Sequence, residues 1–157
     1  MSQAYYADRE VGDSLQPLEL AVTTTAVVAG AMATRDYSPL HHDYQYATET
    51  AGHADIFLNT IHQGALFQRL LTDNLGPRIR LGRLRIAMKR PVYAGSAVTV
   101  IGVLTHKAID DFGCAWLHFD LELLVADELA SSSAVICAVP LDLADNPWQR
   151  RGEEWQP

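Results

Sequence analysis

Cysteine is scarce in this 157-residue chain: there are two, Cys114 and Cys137. Neither belongs to a Cys-x-x-Cys pair, and no Cys/His cluster has the spacing of a structural zinc site. A disulfide scaffold and a zinc module are therefore excluded. Both cysteines lie in apolar, strand-like runs, so buried free thiols are expected, in keeping with a cytoplasmic protein. Positive charge is also in deficit. Twelve Lys and Arg stand against nineteen Asp and Glu, a formal net charge of −7, which argues against a general nucleic-acid binder. An anionic small ligand is still admissible, because a few local cations can hold one. Long apolar runs are missing too. The longest charge-free stretch, Leu20 to Thr34, is too short to cross a bilayer and is rich in Thr and Ala. The polar lead-in from Met1 to Glu10 has no signal core, so no membrane segment is expected. No glycine-rich phosphate loop or nucleotide fingerprint occurs, so no nicotinamide, flavin or ATP is expected. Internal repeats and low-complexity segments are absent as well.

What is present is ordinary for a globular protein: 48% hydrophobic and 20% charged residues. The length suits one domain with a substantial core. We expect a single domain over residues 1–157, with a polar surface tail from about residue 142. A β-prone run covers Leu18 to Thr24. Thr23, Thr24 or Thr25 can cap a helix reaching about Met32, and Pro39 blocks its continuation. Asp43 can cap a short helix over Tyr44 to Ala51, ended by Gly52. The strongest helical signal runs from Thr60 to Leu75, with Ile61, Ala65, Leu66, Leu70, Leu71 and Leu75 as its apolar stripe. Asn59 or Thr60 caps its start, and Gly76-Pro77 stops it. After Pro77 the period changes to two. Strands are expected over 83–89, 97–106, 114–126 and 131–141, with a hairpin turn at Asp110, Asp111 and Gly113. Four strands in antiparallel meander, wrapped around one long central helix, make an α+β arrangement of the hot-dog kind.

The densest polar cluster is Arg35-Asp36-Tyr37-Ser38-Pro39-Leu40-His41-His42-Asp43. It follows an apolar helix and contains a proline that fixes the backbone. An aspartate and a histidine can together position a water: the carboxylate accepts one proton, and the imidazole, titrating near neutrality, gives or takes another. A water so held can attack an activated double bond, and the reverse path eliminates it. Neighbouring residues seldom converge on one metal ion, so His41, His42 and Asp43, even with His53 and His62, point to no metal site.

The stretch Ala33 to Asp43 resembles the hydratase motif of the MaoC-like (R)-specific enoyl-CoA hydratases. Asp36, Pro39, His41 and Asp43 fall in the motif's places, and Ser38 stands where that family usually has Asn. Downstream, Asp55-Ile56-Phe57-Leu58-Asn59, Gln68 to Asp73 and Gly76-Pro77 are similar to a subgroup containing the small single-hot-dog subunits of actinobacterial steroid side-chain hydratases. The resemblance covers roughly residues 20–125. It implies a hot-dog fold and a reaction in which Asp36 and His41 activate the water added across the C2–C3 double bond of an enoyl-CoA thioester. The CoA ester is then the substrate, and no cofactor is implied. It also implies that a backbone N–H early in the long helix holds the thioester carbonyl. Gln63-Gly64 occupies the family's His-Gly place, which makes Gly64 the oxyanion candidate, with Gln63 and Ser38 beside it.

Half of the chain's twelve cations fall between residues 78 and 90. Arg83, Arg85 and Lys89 share one strand face and are candidates for the CoA phosphates, with a solvated sheet face as the plain alternative. Tyr37 and Tyr44 can line an acyl pocket or simply pack, whereas Trp116, Phe119, Trp148 and Trp155 suit packing or subunit contacts. An acyl-CoA thioesterase on the same fold is a second reading, although the long helix carries only Asp73, near its far end. A partner subunit without independent activity is a third. A single hot dog exposes a sheet edge and half a pocket, so a homodimer, or a heteromer with another hot-dog subunit, is expected.

Overall fold

The computed structural model describes residues 3–157; Met1 and Ser2, the first two residues of the polar lead-in, lie outside the described residues. Strand β1 (Leu18–Ala21) leads into helix α1 (Thr24–Ala33), which Thr23 caps by accepting the Ala26 N–H at 3.0 Å. Helix α2 (Thr60–Leu75) is followed by β2 (Arg80–Met88), β3 (Ala97–Ile109), β4 (Ala115–Val125) and β5 (Glu128–Val139). All strand pairs are antiparallel, in the order β1-β3-β4-β5-β2. The expected four-strand meander is thus three strands, β3 to β5. β2 pairs with β5, and the 89–96 connection crosses to the opposite edge. That crossing is held by backbone bonds from Leu58 N–H to Val92, Ala94 N–H to Ile56 and Val22 N–H to Ser96, each 2.8–2.9 Å. Such non-local bonds leave no trace in strand periodicity.

α2 begins and ends where its caps predict. Asn59 accepts the His62 N–H at 2.8 Å, and Gly76 closes the helix at φ +93°. Its buried face is Gln63, Leu66, Phe67, Leu70, Leu71 and Leu75. Ile61 and Ala65, expected in the stripe, are exposed instead. They lie on the side of the helix turned from the sheet, so the true stripe is rotated toward Gln63 and Phe67. This face joins one core with the inward side chains of the sheet, among them Val98, Val100, Leu117, Phe119, Leu121 and Val135.

The Tyr44–Ala51 helix is a π-turn over Tyr46–Thr50, capped by Asp43 as expected and ended by Ala51 N–H on Tyr46 O at 2.9 Å. The segment after residue 142, expected as a surface tail, is laid along the outer sheet face. The Arg80 guanidinium stacks 3.6 Å from the Trp155 ring, Trp155 packs on Trp116, and Trp148 donates to Ile79 O at 3.0 Å. Gly82 makes this possible, since a Cβ there would sit 2.4 Å from Pro157 and 2.9 Å from Trp116. No helix among the described residues is long and apolar enough to cross a membrane.

Both cysteines are buried free thiols. Burial pushes Cys114 up to about 11 and Cys137 up to about 12, so neither supplies thiolate at neutral pH. We expect neither to react with a thiol-specific disulfide reagent in the native protein, and both to react once the chain is unfolded in denaturant; absorbance of the released thiol checks this.

Candidate active site

Two local devices bring Asp36 and His41 together. The first is the end of α1. Arg35 takes the left-handed conformation at φ +55°, Arg35 N–H bonds to Met32 O and Asp36 N–H to Ala31 O, at 3.1 and 2.9 Å. This is a Schellman stop with arginine where glycine is usual. It ends the helix before Pro39 has any influence and turns Asp36 back across the helix end. The second is the Pro39–His41 3₁₀ turn, entered from Ser38 in extended geometry, which carries the imidazole inward.

The pair meets with His41 Nε2 3.4 Å from Asp36 Oδ2; the side chains are 9% and 32% exposed. His41 Nδ1 lies 2.7 Å from the Phe57 carbonyl. A carbonyl only accepts, so Nδ1 carries the proton, and in the neutral ring Nε2 is a bare acceptor facing a carboxylate oxygen. At that separation no atom fits on the line between the two acceptors, but a water set to one side can reach both. Donating one hydrogen to each, it keeps its own lone pairs free, which is the state of a nucleophile. The Phe57 ring also meets the imidazole edge-on, centroids 5.1 Å apart, and fixes its plane.

Asp36 is held on both oxygens. Oδ1 accepts the Ser38 N–H at 3.2 Å, and Oδ2 accepts Asn59 Nδ2 at 3.1 Å. Ser38 therefore contributes its backbone. Asn59 and the Phe57 carbonyl are site members that sequence reasoning missed. Asn59 had an adequate explanation as a helix cap, and a carbonyl has no side-chain signature.

The other expected residues lie elsewhere. Gln63 is fully buried, its amide donating to Leu58 O at 3.4 Å and accepting Ser131 Oγ at 2.7 Å, so it bridges α2 to β5 and faces away from the pair. Gln63 N–H already donates to Asn59 O, so the helix start leaves Thr60 and Ile61 N–H free, and Gly64 sits one residue deeper. Gly64 faces β2, where a Cβ would stand 3.2 Å from Ile86. Arg83 and Arg85 lie on the opposite sheet face. Strand alternation sends Leu84 and Ile86 toward the core, and Arg83 donates to Pro157 O at 2.7 Å. Lys89 is exposed beyond the end of β2. Tyr37 and Tyr44 are exposed at 68% and 61%. Asp73 pairs with Arg69 at 3.3 Å on the helix surface. Among the described residues no three His, Cys, Asp or Glu side chains converge as metal ligands. The larger cavities, about 500 Å³ beside Leu15, Ile101 and Glu122 and about 300 Å³ beside Arg9, Leu70 and Asn74, do not include Asp36 or His41.

Gln63→Leu tests the bridge. It leaves Ser131 Oγ without its partner, an expected loss of about 1–3 kcal/mol, and Ser131→Ala added to it recovers part of that. Chemical denaturation of the two variants reads both effects.

No family model matches the chain. It is 37% identical over 101 residues to the beta subunit of the 3-oxo-4,17-pregnadiene-20-carboxyl-CoA hydratase of Mycobacterium tuberculosis, an alignment spanning 64% of this chain and 76% of that protein. The chain belongs to the MaoC-like hydratase family. This MaoC-like chain also superposes on a subunit of the ChsH1–ChsH2 complex of the same organism, with a TM-score of 0.74 and 28% identity over 83% of this chain and 98% of that one. On the (R)-hydratase of A. caviae involved in PHA biosynthesis the TM-score is 0.75, at 23% identity, over 84% and 98% of the two chains; this likeness speaks for the fold. The MaoC-like chain thus has the hot-dog fold, an antiparallel five-strand sheet with a helix against it.

Proposed function

We propose that this chain is a hydratase, or the site-bearing subunit of one, that adds water across the C2–C3 double bond of an enoyl-CoA thioester, or eliminates it in reverse. One observation carries the reading: a carboxylate oxygen and an imidazole nitrogen, both acceptors and both held by neighbours, face each other at 3.4 Å. A water bridging the two from one side loses a proton to the pair as its oxygen bonds to C3. The pair returns that proton to C2, and all atoms of the water end in the product. Negative charge gathers meanwhile on the thioester oxygen. The free N–H groups at the start of α2, those of Thr60 and Ile61, are the donors of the right kind, aided by the helix dipole. We assign the carbonyl to that helix start in place of Gly64, and the sheet placement of Arg83 and Arg85 argues against their holding the CoA phosphates beside Asp36.

The relative's substrate supports a bulky, steroid-like acyl group. The surroundings of Asp36 support a partner subunit. α1 carries no charge, and Met32 is 42% exposed on it, with Tyr37 and Ile61, at 68% and 60%, nearby in the chain's site segments. β2 is a nine-residue strand at the sheet edge, open to pairing with a second hot-dog chain. The thioesterase reading has no carboxylate in place, since Asp73 is taken by Arg69.

The test is turnover of trans-2-enoyl-CoA substrates, short-chain and steroid side-chain, by the chain alone and with a second hot-dog subunit. We expect loss of the enoyl thioester absorbance without release of free CoA. Free CoA in place of a 3-hydroxyacyl product defeats the proposal.

A further inference from the structure

We propose that Asn59 is a positioning residue for Asp36, and that through one side chain it ties the base to the helix start that would receive the thioester carbonyl. The consequence for turnover rests on the hydratase reading above; the consequence for Asp36 itself does not. Asn59 is 4% exposed, and each polar atom of its amide is engaged. Oδ1 accepts the His62 N–H at 2.8 Å, and Nδ2 donates to Thr34 Oγ1 at 2.7 Å and to Asp36 Oδ2 at 3.1 Å. The amide cannot be reversed. Turned over, its NH₂ would meet the His62 N–H, donor against donor, and its oxygen would meet the Asp36 carboxylate, acceptor against acceptor. Thr34 locks the arrangement, because its own hydroxyl hydrogen is spent on Gly30 O at 2.8 Å and its oxygen is left to accept.

The residue type is informative. A helix cap alone is served as well by Ser or Asp as by Asn. A cap that must also donate to a carboxylate excludes Asp, and Ser is too short to do both. Asp36 has no Lys or Arg partner among the described residues; its charge rests on two neutral donors, Ser38 N–H and the Asn59 amide, with His41 the titratable group facing it. His62, the nearest other titratable group on α2, is packed against Gly30 of α1, with its Nδ1 buried and unpartnered. Donors to the ionised form favour that form and hold its orientation. The same amide fixes where α2 begins, so the distance from Asp36 to the free Thr60 and Ile61 N–H groups is set by one residue.

Asn59→Ser separates the two duties, because serine keeps the cap and loses the donor. In the full-length chain without substrate, the Asp36 carboxyl carbon is followed by NMR at fixed pH. In parallel, kcat and KM are measured on an enoyl-CoA, with Asp36→Asn as the control. We expect the melting temperature of Asn59→Ser to hold, the Asp36 carboxyl resonance to move from its wild-type position as the donor is lost, and kcat to fall roughly tenfold with KM little changed. Thr34→Val, which leaves the cap intact and frees the amide, moves both in the same direction by less. An unmoved Asp36 resonance in both variants reduces Asn59 to a cap and overturns the inference. Undiminished turnover by Asp36→Asn sinks the hydratase reading instead, and the resonance still decides the role of Asn59.

Discussion

On the proposed hydratase reading, Asp36→Asn is expected to lower hydration of an enoyl-CoA by about 10²–10⁴-fold in kcat, the usual span for removing a general acid or base. The substitution keeps the size and one acceptor oxygen. With Oδ1 still accepting the Ser38 N–H, its new NH₂ stands in the place of Oδ2, where it meets both the Asn59 amide and Nε2 of His41. Toward Asn59 donor meets donor and that contact opens, while toward Nε2 the new amide donates and takes up the acceptor meant for the water. The carboxylate proposed to accept the proton is gone, so the loss is expected to fall on kcat with KM little changed. His41→Ala removes the other acceptor and is expected to give a loss of similar size, with the double variant scarcely worse than either single one, because the proposed pair acts as a unit on one water. Steady-state kinetics on the three variants, with circular dichroism to show that they fold, measures this. Full activity in either single variant is incompatible with the proposed pair.

Phe67→Ala carries the largest expected cost to the fold, about 3–5 kcal/mol. Phe67 is fully buried on the sheet side of α2, in the core that also holds Leu70, Leu71, Leu117 and Phe119. Truncation there loses the ring's burial and leaves a cavity between a helix and a sheet that are each tied by backbone bonds and cannot close on it. For a chain of this length that corresponds to a fall of roughly 10 °C in the melting temperature. Ile61→Ala, on the exposed side of the same helix, serves as the comparison and moves the melting temperature little. Thermal unfolding that ranks the two alike contradicts the assignment of the buried face.

The segments that were legible were those whose signal is local. Caps and stops gave α2 its limits, because Asn59 and the Gly76-Pro77 pair act within one turn of the helix. Alternation gave the last strands to within a few residues. The left-handed Arg35 was hidden, since nothing about arginine favours that conformation and the context of the loop imposes it. The basic run from Arg78 to Arg90 invited an anion. Several of its members serve a segment some seventy residues further on: Arg78 donates to Leu143 O, Arg80 to Pro147 O and Arg150 O, and Arg83 to Pro157 O. Gln63 drew attention as a neighbour of Gly64, yet its partner, Ser131, lies on the far strand of the same core.

The sequence by itself determined which side chains are chemically able to act, Asp36 and His41 five residues apart around a proline, and which segments form the helix and strands of the fold. Their residue types, caps and periods depend on bonds made within a few residues, and such bonds can be read in one dimension. Only the tertiary structure decided that His41 presents Nε2 to Asp36, that Asn59 and the Phe57 carbonyl hold the two in place, that β2 lies beside β5, and that Arg83 and Gln63 face away. Each of those facts rests on a hydrogen bond or a packing contact between residues far apart in the chain, where partners are chosen by the whole fold at once.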